Sequence, residues 1–498
     1  MTNLDRRGFL SRGALLAGAS VMGPATFTAI TRGAAMAASP AGRRDQRRPV
    51  TGDYGPLAPV PAANEPAGFA YLAVPAGFSY VVFGKIGSPM TDGNPTPVNL
   101  DGMAAFAGPG GTVRLIRNHE DRNAPGAGSV LGPAGTKYDP LGGGGTTSLD
   151  FDPASRSLVK DFISLNGTIV NCAGGIVVID NKPGWMTSEE TTAGPPTWGQ
   201  PHGYNFFVPV DATGPTLSAP YRAMGRFAHE AVIRDDGSGI FYQTEDAGSG
   251  RGSGFYRYLP TSADARSGRL QMLAIKARPQ ADLREGQRVN KPLPVEWVDI
   301  ANPDPAIVVN IDLPNPTSVF AQGFAAGGAM FNRLEGIWDG GSSVFFASTS
   351  GGDVKNGDVN GDGFREGYGQ IWEYRPRGNS GGQLILAFES PGGDVLDSPD
   401  NLLVTPRGGI VLCEDDASSS DGDTHPLAPG ISDVNRLIGL TMGGEAFEFA
   451  VNRFNDSEFA GACFSPDGST MFVNIFGDGT PGSGMTCAIT GPWENGAL

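Results

Sequence analysis

Histidine and cysteine are both scarce in this chain of 498 residues, which holds four of each. The cysteines stand at 172, 413, 463 and 487, none in the Cys-x-x-Cys spacing of a zinc ribbon, so that class of metal site is excluded. Positive charge is also short. Lys and Arg number 36 against 52 Asp and Glu, a formal net charge of −16. A surface that acidic repels nucleic acid and anionic membranes, so neither is expected as a partner. There is no nucleophile elbow, meaning a Gly-x-Ser-x-Gly turn that carries a strand into a helix, and no P-loop. A serine-based hydrolase is thereby disfavoured, and any chemistry is expected to be metal-assisted. Helical periodicity is weak throughout, with Ile307 to Leu313 as one faint candidate.

Glycine is abundant instead: 75 residues, with 40 prolines, a composition suited to short strands joined by tight turns. The pattern confirms it. A module of polar anchor, apolar strand, turn, apolar strand and second anchor recurs six times between about residues 101 and 476. The copies open at Asp101, Cys172, His229, Leu334, Pro399 and Phe459, and their second strands end at Asn118-His119-Glu120, Ser188-Glu189-Glu190, Thr244-Glu245-Asp246, Ser348-Thr349-Ser350, Cys413-Glu414-Asp415 and Asn474-Ile475-Phe476. In a hairpin the start of the first strand and the end of the second share one edge, so both anchors of each copy face the same way. Six such sheets arranged radially make an all-β fold, a six-bladed β-propeller, with the anchors converging on one mouth of a central channel.

The expected organisation has four parts. Residues 1–37 hold a twin-arginine signal peptide: Asp5-Arg6-Arg7-Gly8-Phe9-Leu10, a mildly apolar stretch, then the small residues Ala35-Met36-Ala37 for cleavage. Residues 38–65 read as a linker or wrapped arm. The propeller occupies 66–498, and the strand-like run from Phe69 to Phe83 is placed to complete its last blade. The stretch at about 260–316 breaks the rhythm and is expected as a small inserted subdomain or lid. The twin-arginine export machinery is an expected partner, the location periplasmic or extracellular, the mature form without a membrane span, and the protein a monomer. Cys463 and Cys487 are the pair expected to bridge, since export permits disulfides.

The anchors offer Glu120, Glu189, Glu190, Glu230, Glu245, Asp246, Glu335, Asp400, Glu414 and Asp415, with one thiol at Cys172. So many carboxylates facing one cavity repel each other unless cations lie between them. A thiolate among the oxygens favours a softer or redox-capable ion beside calcium. His119 and His229 adjoin the Glu anchors as ligands, general acids or orienting groups. Arg333, two residues before Glu335, either grips a phosphate or holds the carboxylates as a salt bridge. Asp358 to Glu366 matches the first half of a calcium loop but has Gly369 where the closing Glu belongs.

Leu115-Ile-Arg-Asn-His-Glu, Gly144-Gly-Thr-Thr-Ser-Leu, Ser164-Leu-Asn-Gly-Thr-Ile-Val-Asn-Cys-Ala-Gly-Gly, Thr187-Ser-Glu-Glu-Thr, Gly225-Arg-Phe-Ala-His-Glu-Ala, Thr244-Glu-Asp and Arg333-Leu-Glu-Gly resemble the PhoX-type bacterial alkaline phosphatases. The resemblance runs from about residue 66 onward. It implies a six-bladed propeller around a cluster of ferric iron (Fe3+) and calcium (Ca2+) that hydrolyses phosphate monoesters. It further implies that Cys172 bridges the irons and that Glu335 binds iron. Arg333 would bind phosphate, and Glu120, Glu189, Glu190, Glu230, Glu245, Asp246, Asp400 and Glu414 would be the other metal ligands. The chain departs from the family after Cys172-Ala-Gly-Gly, which bears on substrate range. Two other readings share the acidic channel: a calcium-dependent propeller hydrolase of a lactone or phosphotriester, which needs neither iron nor Cys172, and a non-catalytic calcium-stabilised propeller.

Overall fold

The computed structural model describes residues 51–498 except 66–67, 218, 249–250, 307–316, 353–365 and 417–423. The expected signal peptide, the faint helix at Ile307 to Leu313 and most of the calcium-loop motif lie outside the described residues. The fold is almost wholly antiparallel β, as the short apolar runs between Gly, Pro and Asp turns require.

Each of the six modules is an antiparallel hairpin. The opening strands are Leu100–Ala107, Asn171–Ile179, His229–Arg234, Leu334–Asp339, Pro399–Val404 and Phe459–Phe464. They pair with Val113–His119, Lys182–Glu189, Phe241–Glu245, Val344–Ser348, Ile410–Glu414 and Thr470–Ile475. The opening strands contact one another in cyclic order, the last returning to the first, so they line a closed ring. Outward from them run the remaining strands. Units one and six form four-stranded sheets, and units three and four share one nine-stranded sheet.

The ring is sealed by the chain's own ends. Ser79–Phe83 pairs with the C-terminal strand Met485–Thr490 in the sixth unit, as its apolar alternation suggested. The neighbouring Leu72–Pro75 goes elsewhere, onto Ala446–Asn452 of the fifth unit. It is covered in turn by Leu57–Val60, so part of the stretch read as a linker is a strand. Tyr54 donates its hydroxyl to the carbonyls of Trp493 and Leu498 at 3.0 and 3.1 Å.

Two expectations need correction. The 260–316 stretch does not stand apart as a lid or subdomain where it is described. Gly268–Ile275 and Leu293–Asp299 are ladder strands, and the second pairs with Gly381–Glu389, which is what merges units three and four. A short helix, Val319–Ala325, capped by Ser318, follows it. The four cysteines are free. Cys463 and Cys487 lie on strands separated by Thr470–Ile475, about 9–10 Å apart at the usual strand spacing, and they pack into different cores, so no bridge can form. The string Gly378-Asn-Ser380-Gly-Gly382 turns between two strands, Gln370–Arg377 and Gly381–Glu389, so it is a hairpin corner and no elbow.

The cores lie between adjacent sheets, built by the inward residues of alternating strands. Phe83 stacks on Phe151 at 5.2 Å between units six and one, and Phe255 on Phe346 at 4.3 Å between units three and four. Burying each such ring contributes roughly 1.5–3 kcal/mol. The stacked sheets hold the inner strands rigidly around the channel.

Candidate metal centre

Every inner hairpin carries the same defect. The register between opening and second strand slips by one residue near the start, at Leu100/Met103, Asn171/Gly174, His229/Val232, Leu334/Ile337, Pro399/Leu402 and Ala460/Cys463. Such a bulge leaves a residue unpaired and re-aims its side chain. The first residue inside the bulge is Asp101, Cys172, Glu230, Glu335 and Asp400 in units one to five, and Gly461 in unit six. Five of the six bulges thus hold an acid or the thiol. The sixth unit contributes Glu458, just ahead of its opening strand.

The bulges are pinned by neighbours. Asn118 Nδ2 donates to the carbonyls of Cys172 and Ala173 at 2.8 and 2.7 Å, while its own Oδ1 accepts from Trp185. Asn474 of unit six donates to the Asp101 carbonyl at 2.7 Å. Gly461 N–H donates to Asn401 Oδ1 at 2.6 Å. Glycine takes the second bulge position at Gly102 and Gly336 because the inner strands nearly touch there: a Cβ on Gly102 would lie 2.5 Å from Ala173 Cα, and one on Gly336 would lie 2.9 Å from Asn401 Cα.

At the other anchor, strand alternation divides the acids. Glu189, Glu245 and Glu414 occupy the last strand position and turn away from the channel groups. Glu189 accepts from His202 at 2.7 Å and from the N–H groups of Ile169, Gly203 and Tyr204. Glu245 accepts from Arg251, from the Tyr256 hydroxyl at 2.5 Å and from Gly254 N–H. Glu414 takes Arg436 through two guanidinium nitrogens at 2.6 and 2.7 Å, plus Asp397 N–H. The residues that follow, Glu120, Glu190 and Asp415, reach the channel cluster, and Asp246 reaches Arg333.

His119 and His229 are wholly buried and engaged on both nitrogens. His119 Nδ1–H donates to the Val98 carbonyl, and Nε2 accepts from Thr147, both at 2.9 Å. His229 Nε2–H donates to the Gly225 carbonyl at 3.1 Å, Nδ1 accepts from Asn205, and the ring stacks on Phe227. Burial pushes His119 well below its usual range and His229 down to about 3, so both stay neutral.

Among the described residues, four triads of ligand atoms, each with members within 4.8 Å of one another, form a continuous chain: Asp101–Glu120–Cys172, Cys172–Glu190–Glu230, Glu230–Glu335–Asp400 and Asp400–Asp415–Glu458. Cys172, Glu230 and Asp400 are the shared links. Asp101 and Glu458 were not among the expected ligands, although Asp101 holds the same bulge position as Cys172. Both carboxylate oxygens of Glu230 are buried without a hydrogen-bond partner. A buried carboxylate is not left bare unless a proton or a cation attends it. Burial first, then neighbouring acids, pushes Asp101, Glu190, Glu230, Glu335 and Glu458 well above the carboxylate range, and Asp400 up to about 8. The Cys172 thiol is raised by the same causes. Oxygen donors at this density with one sulfur fit several multivalent cations and suit neither a zinc ribbon nor a lone magnesium ion.

Two arginines stand among the acids. Arg333, in a strained backbone conformation at φ 35°, places Nε and Nη2 on Asp246 at 3.2 and 2.9 Å and Nη2 on Glu335 at 3.0 Å. Arg122, which motif reading passed over, bonds both Glu120 and Glu190 through Nη2.

Residues 52–159 and 144–479 match the family described as alkaline phosphatase PhoX. No curated protein matches the sequence. Among solved structures, PhoX of Pseudomonas fluorescens, in complex with vanadate as a transition-state analogue, superposes with a TM-score of 0.61 at 17% identity, covering 89% of this chain and 99% of that one. A gluconolactonase from Xanthomonas campestris, aligned over 88% of this chain and 98% of its own at 10% identity, superposes with a TM-score of only 0.37. With its bulge-borne acids, its Asn-Cys-Ala-Gly-Gly thiol and a family match over most of its length, the chain belongs to the PhoX alkaline phosphatase family.

Proposed function

We propose that this protein is an exported alkaline phosphatase whose channel acids and Cys172 hold ferric iron and calcium, and that it releases inorganic phosphate from small phosphate monoesters. We read the six hairpin units as the blades of a propeller. The observation that carries the assignment is the unbroken chain of triads from Asp101 to Glu458, with Glu230 bare at its centre. In this reading Cys172 takes the iron, with Glu190, Glu230 and Glu335 around it, while the all-oxygen triad Asp400–Asp415–Glu458 suits calcium. Glu189, Glu245 and Glu414, already saturated by N–H and guanidinium donors, support the ligands beside them.

Bound cations supply Lewis-acid charge that offsets the acids and polarises the phosphoryl oxygens. The chain's own part is orientation and electrostatics. Arg333 Nη1 has no partner among the described residues, so Asp246 and Glu335 aim a half-used guanidinium at a place where phosphoryl oxygens gather charge. Its side chain is 36% exposed, so a substrate can reach it. His119 and His229, held neutral and bonded at both nitrogens, orient the strand ends and transfer no proton. The Arg6-Arg7 signal supports export by the twin-arginine route, which carries folded proteins with cofactors in place.

The test is elemental analysis of purified protein alongside hydrolysis of p-nitrophenyl phosphate. Iron and calcium with monoesterase activity, both lost in Cys172→Ala, are expected. Calcium without iron, or full activity in Cys172→Ala, defeats the reading and favours a calcium-dependent hydrolase of another ester.

A further inference from the structure

The two channel arginines are built differently. Arg333 spreads two nitrogens over Asp246 and Glu335. Arg122 uses only Nη2, bonding Glu120 of unit one and Glu190 of unit two, and its Nε and Nη1 have no partner among the described residues. Its side chain is 57% exposed, whereas those of Glu120 and Glu190 are 8% and 10% exposed. A cation that served only to tie two acids together gains most from being enclosed with them, where the dielectric is low. Here the guanidinium is anchored on one side and open on the other. Glu190 and Asp415 both lie within electrostatic reach of Arg122 and Arg333, so the two guanidinium groups flank the same acids. Glu120 and Glu190 each belong to a triad containing Cys172, which places Arg122 beside the candidate reaction centre.

We propose that Arg122 is a second phosphate-gripping group, working with Arg333 and selecting dianionic monoesters over monoanionic diesters. This rests on the phosphatase reading. A monoester dianion offers three terminal oxygens carrying two charges; a diester offers two oxygens carrying one. Two half-used guanidiniums therefore match the monoester, each donating charge-assisted hydrogen bonds from nitrogens the protein leaves free.

The experiment uses the metal-loaded mature protein and its Arg122→Ala and Arg122→Lys variants. Kinetics on p-nitrophenyl phosphate and on bis(p-nitrophenyl) phosphate are measured with metal content and calorimetric binding of inorganic phosphate. Arg122→Ala should raise KM for the monoester and Kd for phosphate about 10- to 100-fold. The fall in kcat should be smaller, the monoester-to-diester ratio should drop, and metal content should stay at the parent level. Arg122→Lys, which restores the charge without the fork, should recover only part of the loss. Unchanged KM and phosphate affinity in Arg122→Ala overturns the proposal. So does a loss of bound metal in step with activity, which would make Arg122 a strut between Glu120 and Glu190. Absence of phosphatase activity in the loaded parent defeats the reading of function itself, and calorimetry still decides whether Arg122 binds phosphate.

Discussion

Glu230 carries the sharpest conflict at the scale of single residues. Its two oxygens are buried without a geometrically sound hydrogen bond; burial, Asp400, Glu190 and Asp101 resist its charge, and the neighbouring Cys172 thiol offsets them only in part. Removing that charge should act in opposite directions with and without metal. Glu230→Gln is expected to reduce bound iron and activity by about a hundredfold or more. After chelation the same variant should melt higher than the parent, because a bare buried carboxylate has gone; a lower melting temperature for chelated Glu230→Gln would contradict this. The histidines give the complementary case. His229→Asn should lower stability by about 1–3 kcal/mol by leaving buried partners unpaired. It should leave the pH–rate profile between pH 5 and 9 unmoved, since His229 is pushed down to about 3 and is neutral across that range. Residue types alone could not separate Glu189 from Glu190, or Glu245 from Asp246, because adjacent acids look alike. Which of each pair faces the channel is decided by strand parity, and parity depends on where the ladder ends.

The hairpin is the element that matters, and its bulge most of all. The six hairpins were legible because apolar runs between turn residues mark strands directly. The bulges were not, since an extra residue leaves no mark in hydrophobic alternation. The copies were therefore opened at two different phases, on Asp101 and Cys172 but ahead of Glu230, Glu335 and Asp400. Aligned on the bulge, Glu230, Glu335 and Asp400 are the counterparts of Asp101 and Cys172. The close approach of neighbouring bulges makes a prediction at this scale. A methyl on Gly102 would sit 2.5 Å from Ala173 Cα and 2.9 Å from the Cys172 carbonyl. Gly102→Ala should therefore destabilise the protein by about 1–3 kcal/mol and displace both Asp101 and Cys172. Denaturant melts and metal content should change together; an unaltered metal content would show that the strands can part without disturbing the centre.

For the whole molecule, the acid cluster ties stability to cation and proton alike. The folded-state pKa values of Asp101, Glu190, Glu230, Glu335 and Glu458 are raised, and that of Asp400 reaches about 8. The native state then binds more protons than the unfolded chain above about pH 4, so metal-free stability falls as pH rises and levels off past the raised values. Chelated protein should melt higher at pH 5 than at pH 8. Metal-loaded protein should show the reverse, because cations bind the deprotonated groups. Equal melting temperatures at the two pH values after chelation would mean that these groups do not titrate on unfolding. The global architecture was less readable where long-range pairing decides it. Nothing local in Leu293–Asp299 says that it will join Gly381–Glu389 and merge two units, and nothing in Cys463 and Cys487 says that a strand will lie between them.

The closure of the ring has one more consequence. Ser79–Phe83 waits for Met485–Thr490, and Asn474 reaches Asp101 across 373 residues. A nascent chain still on the ribosome has the first acids but no partner to hold them in place, so ions captured early would find only a loose, solvent-washed handful of donors. The binding pocket is complete only once these distant strands meet, so whatever opens that seam also loosens the grip on the ions.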